Sequence, residues 1–302
     1  MQGKDDEAAG RSADEQVPGA AARSQTKALT YSSYLRLDEL LDLQSPRSAD
    51  AAGRGEHDEM LFIVIHQVYE LWFKQTLHEL DFLIEHLEAH RGAAGSGDEP
   101  LDDRIAPVLH TLHRVLTILK TMVAQVDILE TMTPRSFASF RARLAAASGF
   151  QSPQFRELEF LLGKRDASML VHHTAEARAR LEARAAQPTL YHYVLRFLAR
   201  SGANVPASVL EPPAVDEPLI EMPEVHAALV DIYRHEDGLT QVCERLVDFD
   251  EGLQEWRYRH VKMVERTLGS KPGTGGSSGA AYLRSTLFQP IFPDLWAIRS
   301  QL

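Results

Sequence analysis

Ile105-Ala106-Pro107-Val108-Leu109-His110-Thr111-Leu112-His113-Arg114-Val115-Leu116-Thr117-Ile118-Leu119-Lys120-Thr121-Met122-Val123-Ala124-Gln125-Val126 is the stretch that sets the fold class. Leu109, Leu112, Leu116, Leu119, Val123 and Val126 recur three and four residues apart. On a helix they form one apolar seam, suited to near-parallel packing in a bundle. The pattern predicts a helix from about Ile105 to Met132, and Pro134 ends it.

The same periodicity runs outward from that seam. Asp58–His90 reads as a long helix, apolar on nearly every side from Met60 to Trp72, and hence central and buried there. Shorter helices are expected at Pro134–Leu144, Pro153–Gly163, Thr174–Arg184 and Thr189–Arg200. Arg91–Asp102 and the proline-rich Ser201–Pro223 read as connections. A last long helix covers Glu224–Leu268, with a break near Glu236-Asp237-Gly238. Tyr31–Leu43 is a short amphipathic segment, and the apolar run Ala280–Leu302 is expected to pack on the bundle. No alternating strand pattern and no internal repeat occur. The expectation is an all-α helical bundle in a single domain, 27–302. A disordered tail rich in Ala, Gly, Ser and charge precedes it at 1–26.

Composition narrows the function classes. The chain has 302 residues and 44% hydrophobic content, enough for a sizeable core. A formal net charge of -11 argues against nucleic acid or an anionic membrane as partner. Cys243 is the single cysteine, which excludes a disulfide framework and a cysteine zinc site. It fits a reducing, cytoplasmic setting. The polar N-terminal stretch lacks the apolar core of a signal peptide. No run approaches the roughly 20 apolar residues of a membrane span.

Three segments carry chemistry. His260 lies in Trp256-Arg257-Tyr258-Arg259-His260-Val261-Lys262-Met263-Val264, with Leu253, Trp256, Met263 and Val264 on its side of the helix wheel. An imidazole in an apolar stripe needs a partner for its lone pair. A metal ion or an ordinary hydrogen bond would each answer. His66 is the second such imidazole, sharing its face with Phe62, Ile63, Tyr69 and Phe73. That aromatic wall suits a flat ligand, or simply a core histidine bonded to Glu59 or Glu70. Arg141 stands beside Phe137 and Phe140, where a guanidinium clamps a carboxylate or lies solvated on a helix surface.

Gly273-Thr274-Gly275-Gly276-Ser277-Ser278-Gly279 invites a phosphate reading, which fails on detail. No Lys-Ser/Thr follows, Ser278 stands where a dinucleotide fingerprint needs glycine, and no strand precedes it. A linker and a mobile lid both remain open. His110 with His113, and His172 with His173, lack the His-Glu-x-x-His zinc spacing.

Taken together, five blocks, the last of them in two parts, resemble tryptophan 2,3-dioxygenase. They are Tyr31-Ser32-Ser33-Tyr34-Leu35-Arg36-Leu37-Asp38, His57 to Gln67, Glu70-Leu71-Trp72-Phe73-Lys74, Ser148-Gly149-Phe150-Gln151-Ser152, Arg259 to Arg266, and Gly273 to Gly279. The resemblance spans about residues 28–300, in order. It implies an all-helical, intertwined homotetramer with one b-type haem per subunit. The implied reaction adds both atoms of O₂ across the C2–C3 bond of L-tryptophan, giving N-formyl-L-kynurenine. That is the first step of the kynurenine route.

The resemblance also implies residue roles. His260 matches the axial ligand of the haem iron. His66 matches the histidine facing the indole N–H, orienting and polarising it. Phe62 and Phe137 match the indole wall, and Leu144 and Ser148 further pocket positions. Arg141 matches the carboxylate clamp, and Thr274 the residue holding the amino-acid end. Tyr31 and Tyr34 match tyrosines that reach a neighbouring subunit's site. Ala145-Ala146, the connection Gln44–Glu56 and the 1–26 tail depart from the family's pattern. An indoleamine dioxygenase acting on other indoles and a non-enzymatic helical haem sensor are the rival readings.

Overall fold

The computed structural model describes residues 28–89, 100–211, 220–271, 273 and 279–302. The expected tail at 1–26, its boundary with the domain, and Thr274 lie outside the described residues. Contacts divide the chain into two compact units, Met1–Leu43 and Gln44–Leu302. Among the described residues the secondary structure is helical throughout, with no strand, as expected for an all-α fold. No helix among them is long and apolar enough to cross a membrane.

The first unit carries α1 (Tyr31–Leu35) and α2 (Leu37–Leu40). Thr30 caps α1: its hydroxyl accepts from Ser33 N, and Ser33 Oγ accepts from Thr30 N. Neither helix buries a side chain.

The second unit carries α3 (His57–Glu88), α4 (Leu101–Leu129), α5 (Pro134–Arg141), α6 (Pro153–Leu161), α7 (Ala175–Ala185) and α8 (Leu190–Arg200). It continues with α9 (His226–His235), α10 (Asp237–Leu268), α11 (Ala280–Ser285) and α12 (Pro293–Ala297). Helix α4 is the spine, packed against both α3 and α10. Its seam is buried at Leu112, Leu116, Leu119, Val123 and Val126. Gly252 lets α10 approach closely: a methyl there would fall 2.9 Å from Leu119 Cδ2. The shorter helices fall where the pattern put them, each of α5 to α8 started by a Thr or Ser hydroxyl cap. The chain breaks between α9 and α10 at Glu236, whose backbone leaves the helical region. The C-terminal run packs as expected, with Ile291, Phe292, Leu295 and Ile298 in the main core.

Two expectations are corrected. Helix α4 begins at Leu101, inside the presumed connection. Pro107 sits within its first two turns, and Asp102 and Asp103 favour the helix N-terminus electrostatically. Helix α3 is central only in part. Ile65 and most apolar positions from Phe73 to Leu87 are buried, but Met60, Val64 and Leu71 are 43, 39 and 51% exposed. An all-round apolar helix requires cover on every side, and this chain leaves the side with Met60, Val64 and Leu71 uncovered.

A second, smaller core lies beside the first: Ile65, Leu129, Met132, Phe137 and Phe140, with Phe62, Leu144, Met263 and Leu268 packed on it. It joins α3, α4, α5 and α10, and Phe62, Leu129, Met132, Phe137, Leu144, Met263 and Leu268 of this cluster also line a cavity.

Candidate active site

Helices α3 and α10 supply facing stripes of a deep, largely apolar cavity. Phe62, His66, Tyr69 and Phe73 follow one another three or four residues apart on α3. Trp256, His260, Met263 and Thr267 do the same on α10. Helix α5 and the turn after it contribute Phe137, Arg141, Leu144 and Ser148. Helix α6 contributes Phe155, Arg156 and Glu159, and α11 Tyr282 and Leu283. The space open to a water's centre is about 280 Å³. That holds roughly twenty waters, more than an amino acid alone displaces.

The two imidazoles are held differently. His66 Nδ1 lies 2.6 Å from the carbonyl oxygen of Phe62, one turn earlier. A carbonyl only accepts, so Nδ1 carries the proton and Nε2 keeps its lone pair. Burial depresses the His66 pKa, against smaller opposing effects of the Phe62 carbonyl and Glu70. The ring is neutral at pH 7. Phe62 packs on it with centroids 4.1 Å apart, and Phe137 lies 5.7 Å beyond.

His260 is depressed further, to about 4, first by burial, then by its electrostatic coupling to the neighbouring His66 ring and by the charge of Arg257. Its ring stacks on Trp256, centroids 5.4 Å apart and planes 10° apart. Among the described residues no hydrogen bond meets either of its nitrogens. Stacking, rather than a hydrogen-bond acceptor, orients this imidazole. Nor do three His, Cys, Asp or Glu side chains converge as a metal cage among the described residues. A metal at His260 must therefore bring its other ligands with it.

The expected partners of His66 are occupied elsewhere. Glu59 accepts from Arg47 N and Ser48 N, both at 2.8 Å, and so anchors the connection before α3. Glu70 lines the cavity but accepts from Gln154 Nε2 at 2.9 Å. Arg141 is half-buried in the cavity wall at the end of α5, not on an open helix surface. The turn after Leu144 places Ala145 at φ 50°, which redirects the chain so that Ser148 meets the cavity. Gly273 and Gly279, the ends of the glycine loop, both line it. Tyr31 and Tyr34 belong to the first unit, where they are 75 and 70% exposed.

Sequence reasoning missed Arg156, Glu159 and Tyr282. An arginine and a glutamate three apart on a short helix look like a surface pair, and nothing in the pattern signals that both are buried.

Fold and cavity thus define a class: an all-helical protein built around a deep, largely apolar cavity, with two neutral imidazoles and an arginine in its wall. The comparisons narrow it. The family model for tryptophan 2,3-dioxygenase matches residues 15–201 and 224–302. The tryptophan 2,3-dioxygenase of Anaeromyxobacter sp. is 56% identical over 281 residues, 92% of this chain and 98% of that protein. Those of Herpetosiphon aurantiacus and Caulobacter vibrioides are 52% and 43% identical. They match over 92 and 91% of this chain and 100 and 98% of their own lengths. The chain belongs to the tryptophan 2,3-dioxygenase family.

Proposed function

We infer that this chain is a haem-dependent dioxygenase that inserts both atoms of O₂ across the C2–C3 bond of L-tryptophan. The product is N-formyl-L-kynurenine, and the reaction opens the kynurenine route of tryptophan breakdown. The observation that carries the reading is the pair of neutral imidazoles, one on α3 and one on α10, lining a single apolar chamber.

The residues fit haem b, one per subunit. His260 presents a neutral, stacked imidazole with no competing hydrogen bond among the described residues, as an axial nitrogen ligand requires. The chamber offers more space than an amino acid alone displaces. When bound, the haem supplies the iron that takes O₂ and the redox chemistry of oxygen insertion.

The chain's own side chains bind and aim the substrate. His66 Nε2, left as an acceptor by the Phe62 carbonyl, takes the indole N–H. Phe62 and Phe137 face the indole plane, and Leu144 and Ser148 close its edges. Arg141 holds the carboxylate, and Thr274, outside the described residues, takes the amino-acid end. Fixing both ends lowers the entropy cost of reaction. Apolar walls exclude water and strengthen these polar contacts.

The assembly is a homotetramer in which Tyr31 and Tyr34 of one subunit complete a neighbour's site. Their exposure, and the exposed apolar row Met60, Val64 and Leu71, support this. A buried free thiol at Cys243 fits the cytoplasm.

The test is oxygen uptake by the reduced, haem-loaded protein, with absorbance in the formylkynurenine band. Uptake that depends on L-tryptophan and matches product one to one is expected. Comparable turnover of tryptamine would favour the broader indoleamine reading, and no tryptophan-dependent uptake would favour a haem sensor.

A further inference from the structure

A second hollow, of about 350 Å³, lies on the outer side of α5. Ala138, Ala142 and Ala145 floor it, and Arg141 and Lys271 line it with charge. Arg141 also lines the chamber, so its side chain stands in the wall between the two spaces. The helix explains the division. Phe137 and Arg141, one turn apart, face the chamber, while Ala138 and Ala142, each one residue later, are turned outward and exposed. An alanine carries nothing beyond its methyl group, so this floor leaves the hollow open.

Lys271 is placed there by the end of α10. Gly269, at φ 63°, turns the chain out of the helix, and Lys271 N donates back to the Leu268 carbonyl at 3.3 Å. Leu268 and Gly273 both line the chamber, but Lys271 between them lines the outer hollow instead and is exposed. Among the described residues no carboxylate pairs with it. Two cations therefore follow one another inward, Lys271 outside and Arg141 at the wall. Their chemistry differs. A lysine ammonium is a compact, strongly hydrated charge on a flexible stem, suited to brief contacts. The planar fork of arginine holds a carboxylate in a fixed geometry.

We propose that the outer hollow is an entry vestibule for the amino-acid substrate, in which Lys271 meets the carboxylate before Arg141 takes it into the chamber. The proposal rests on the tryptophan reading above. The ligand class is a free α-amino acid with a flat apolar side chain, which slides over the alanine floor while its carboxylate passes from one cation to the next. Such a contact acts on the barrier to entry and not on the bound state. It speeds association and dissociation alike, so the equilibrium affinity is unmoved. The vestibule would also select for a free carboxylate before the ligand reaches the chamber.

The test is stopped-flow mixing of the haem-loaded protein with L-tryptophan or tryptamine, followed by the Soret shift. Lys271→Gln should slow L-tryptophan association by about two- to fivefold, the range of one exposed ionic contact. Dissociation should slow in parallel and leave Kd unchanged. Lys271→Arg should keep the rate of the unsubstituted protein, and Lys271→Glu should fall below Lys271→Gln. Tryptamine, a cation without a carboxylate, should reverse the order and enter fastest in Lys271→Glu. Ala142→Phe, which fills the hollow, should slow both ligands. L-tryptophan association indifferent to the charge at position 271, or a changed Kd with unaltered association, would overturn the proposal. Lys271 is exposed, so these variants fold, and the charge series decides alone should Ala142→Phe not fold. If the unsubstituted protein shows no spectral response to L-tryptophan, the tryptophan reading itself fails. A normal response with a flat charge series sinks the vestibule only.

Discussion

The ring of Trp256 lies parallel to that of His260, 10° off in plane and 5.4 Å between centroids. With no hydrogen bond on either imidazole nitrogen among the described residues, this stack sets the ring's direction. Trp256 is in turn wedged against Tyr69, Phe73 and Phe155. His260→Ala should abolish stable haem incorporation, read as loss of the Soret band. Trp256→Phe should keep the haem but weaken its retention, measured as faster transfer to a haem-scavenging protein. Trp256→Ala should also cost about 3–5 kcal/mol of stability, as for any large aromatic truncated in a core.

Acid should destabilise the apo-protein well above the carboxylate range. His260 and His192 are both held near 4 in the folded chain, chiefly by burial. In the unfolded chain each titrates near the ordinary value of about 6.5. A depressed histidine is neutral in both states above 6.5, so its contribution is intact there. As pH falls from 6.5 towards 4, the unfolded state takes a proton that the folded state refuses, and stability drops. Each group accounts for up to roughly 3 kcal/mol over that window. Urea midpoints of the apo-protein at pH 7.5, 6 and 5 check this. A flat profile would contradict it, and His260→Leu should make the profile shallower.

Arg141 carries a clean chemical contrast. If it clamps the carboxylate, Arg141→Ala should weaken L-tryptophan binding by about 1.5–3 kcal/mol, the range for a hydrogen bond to a charged group. Tryptamine, which has no carboxylate, should bind the variant and the unsubstituted protein alike. Spectral titration of the haem-loaded protein measures both, and unaltered tryptophan affinity would remove the clamp.

Ala145 holds φ 50° in the turn that brings Ser148 to the chamber. A side chain there is strained, and glycine is not. Ala145→Gly should raise stability by up to about 1 kcal/mol, less the entropy glycine adds to the unfolded chain. Thermal melting reads it as a rise of a few degrees. A fall would show that the turn is not strained.

Much of the fold was legible in the sequence because helix periodicity reports burial directly. The seam residues from Leu112 to Val126 are buried as their spacing required. The break at Glu236 fell where the pattern weakened. The connection Arg91–Asp102 was drawn too long at its end, since helix α4 already begins at Leu101 with Asp102 and Asp103 in its first turn. Met60, Val64 and Leu71 misled in the other direction, since apolarity marks a surface that wants cover without naming what covers it. Glu59 was offered to His66 on the wheel, but the backbone amides of Arg47 and Ser48 claim it.

By itself the sequence determined the helices, the two imidazoles in apolar stripes and the ordered blocks that place the chain in its family. These depend on near neighbours along the chain and on residue identity. Only the tertiary structure decided which nitrogen of His66 is free, what holds His260 in place, and that Arg156, Arg257 and Glu159 meet as a buried cluster. Those depend on groups far apart in sequence. A carbonyl, a stacked ring or a shared carboxylate acts through distance and burial, and neither is written in the spacing of residues along the chain.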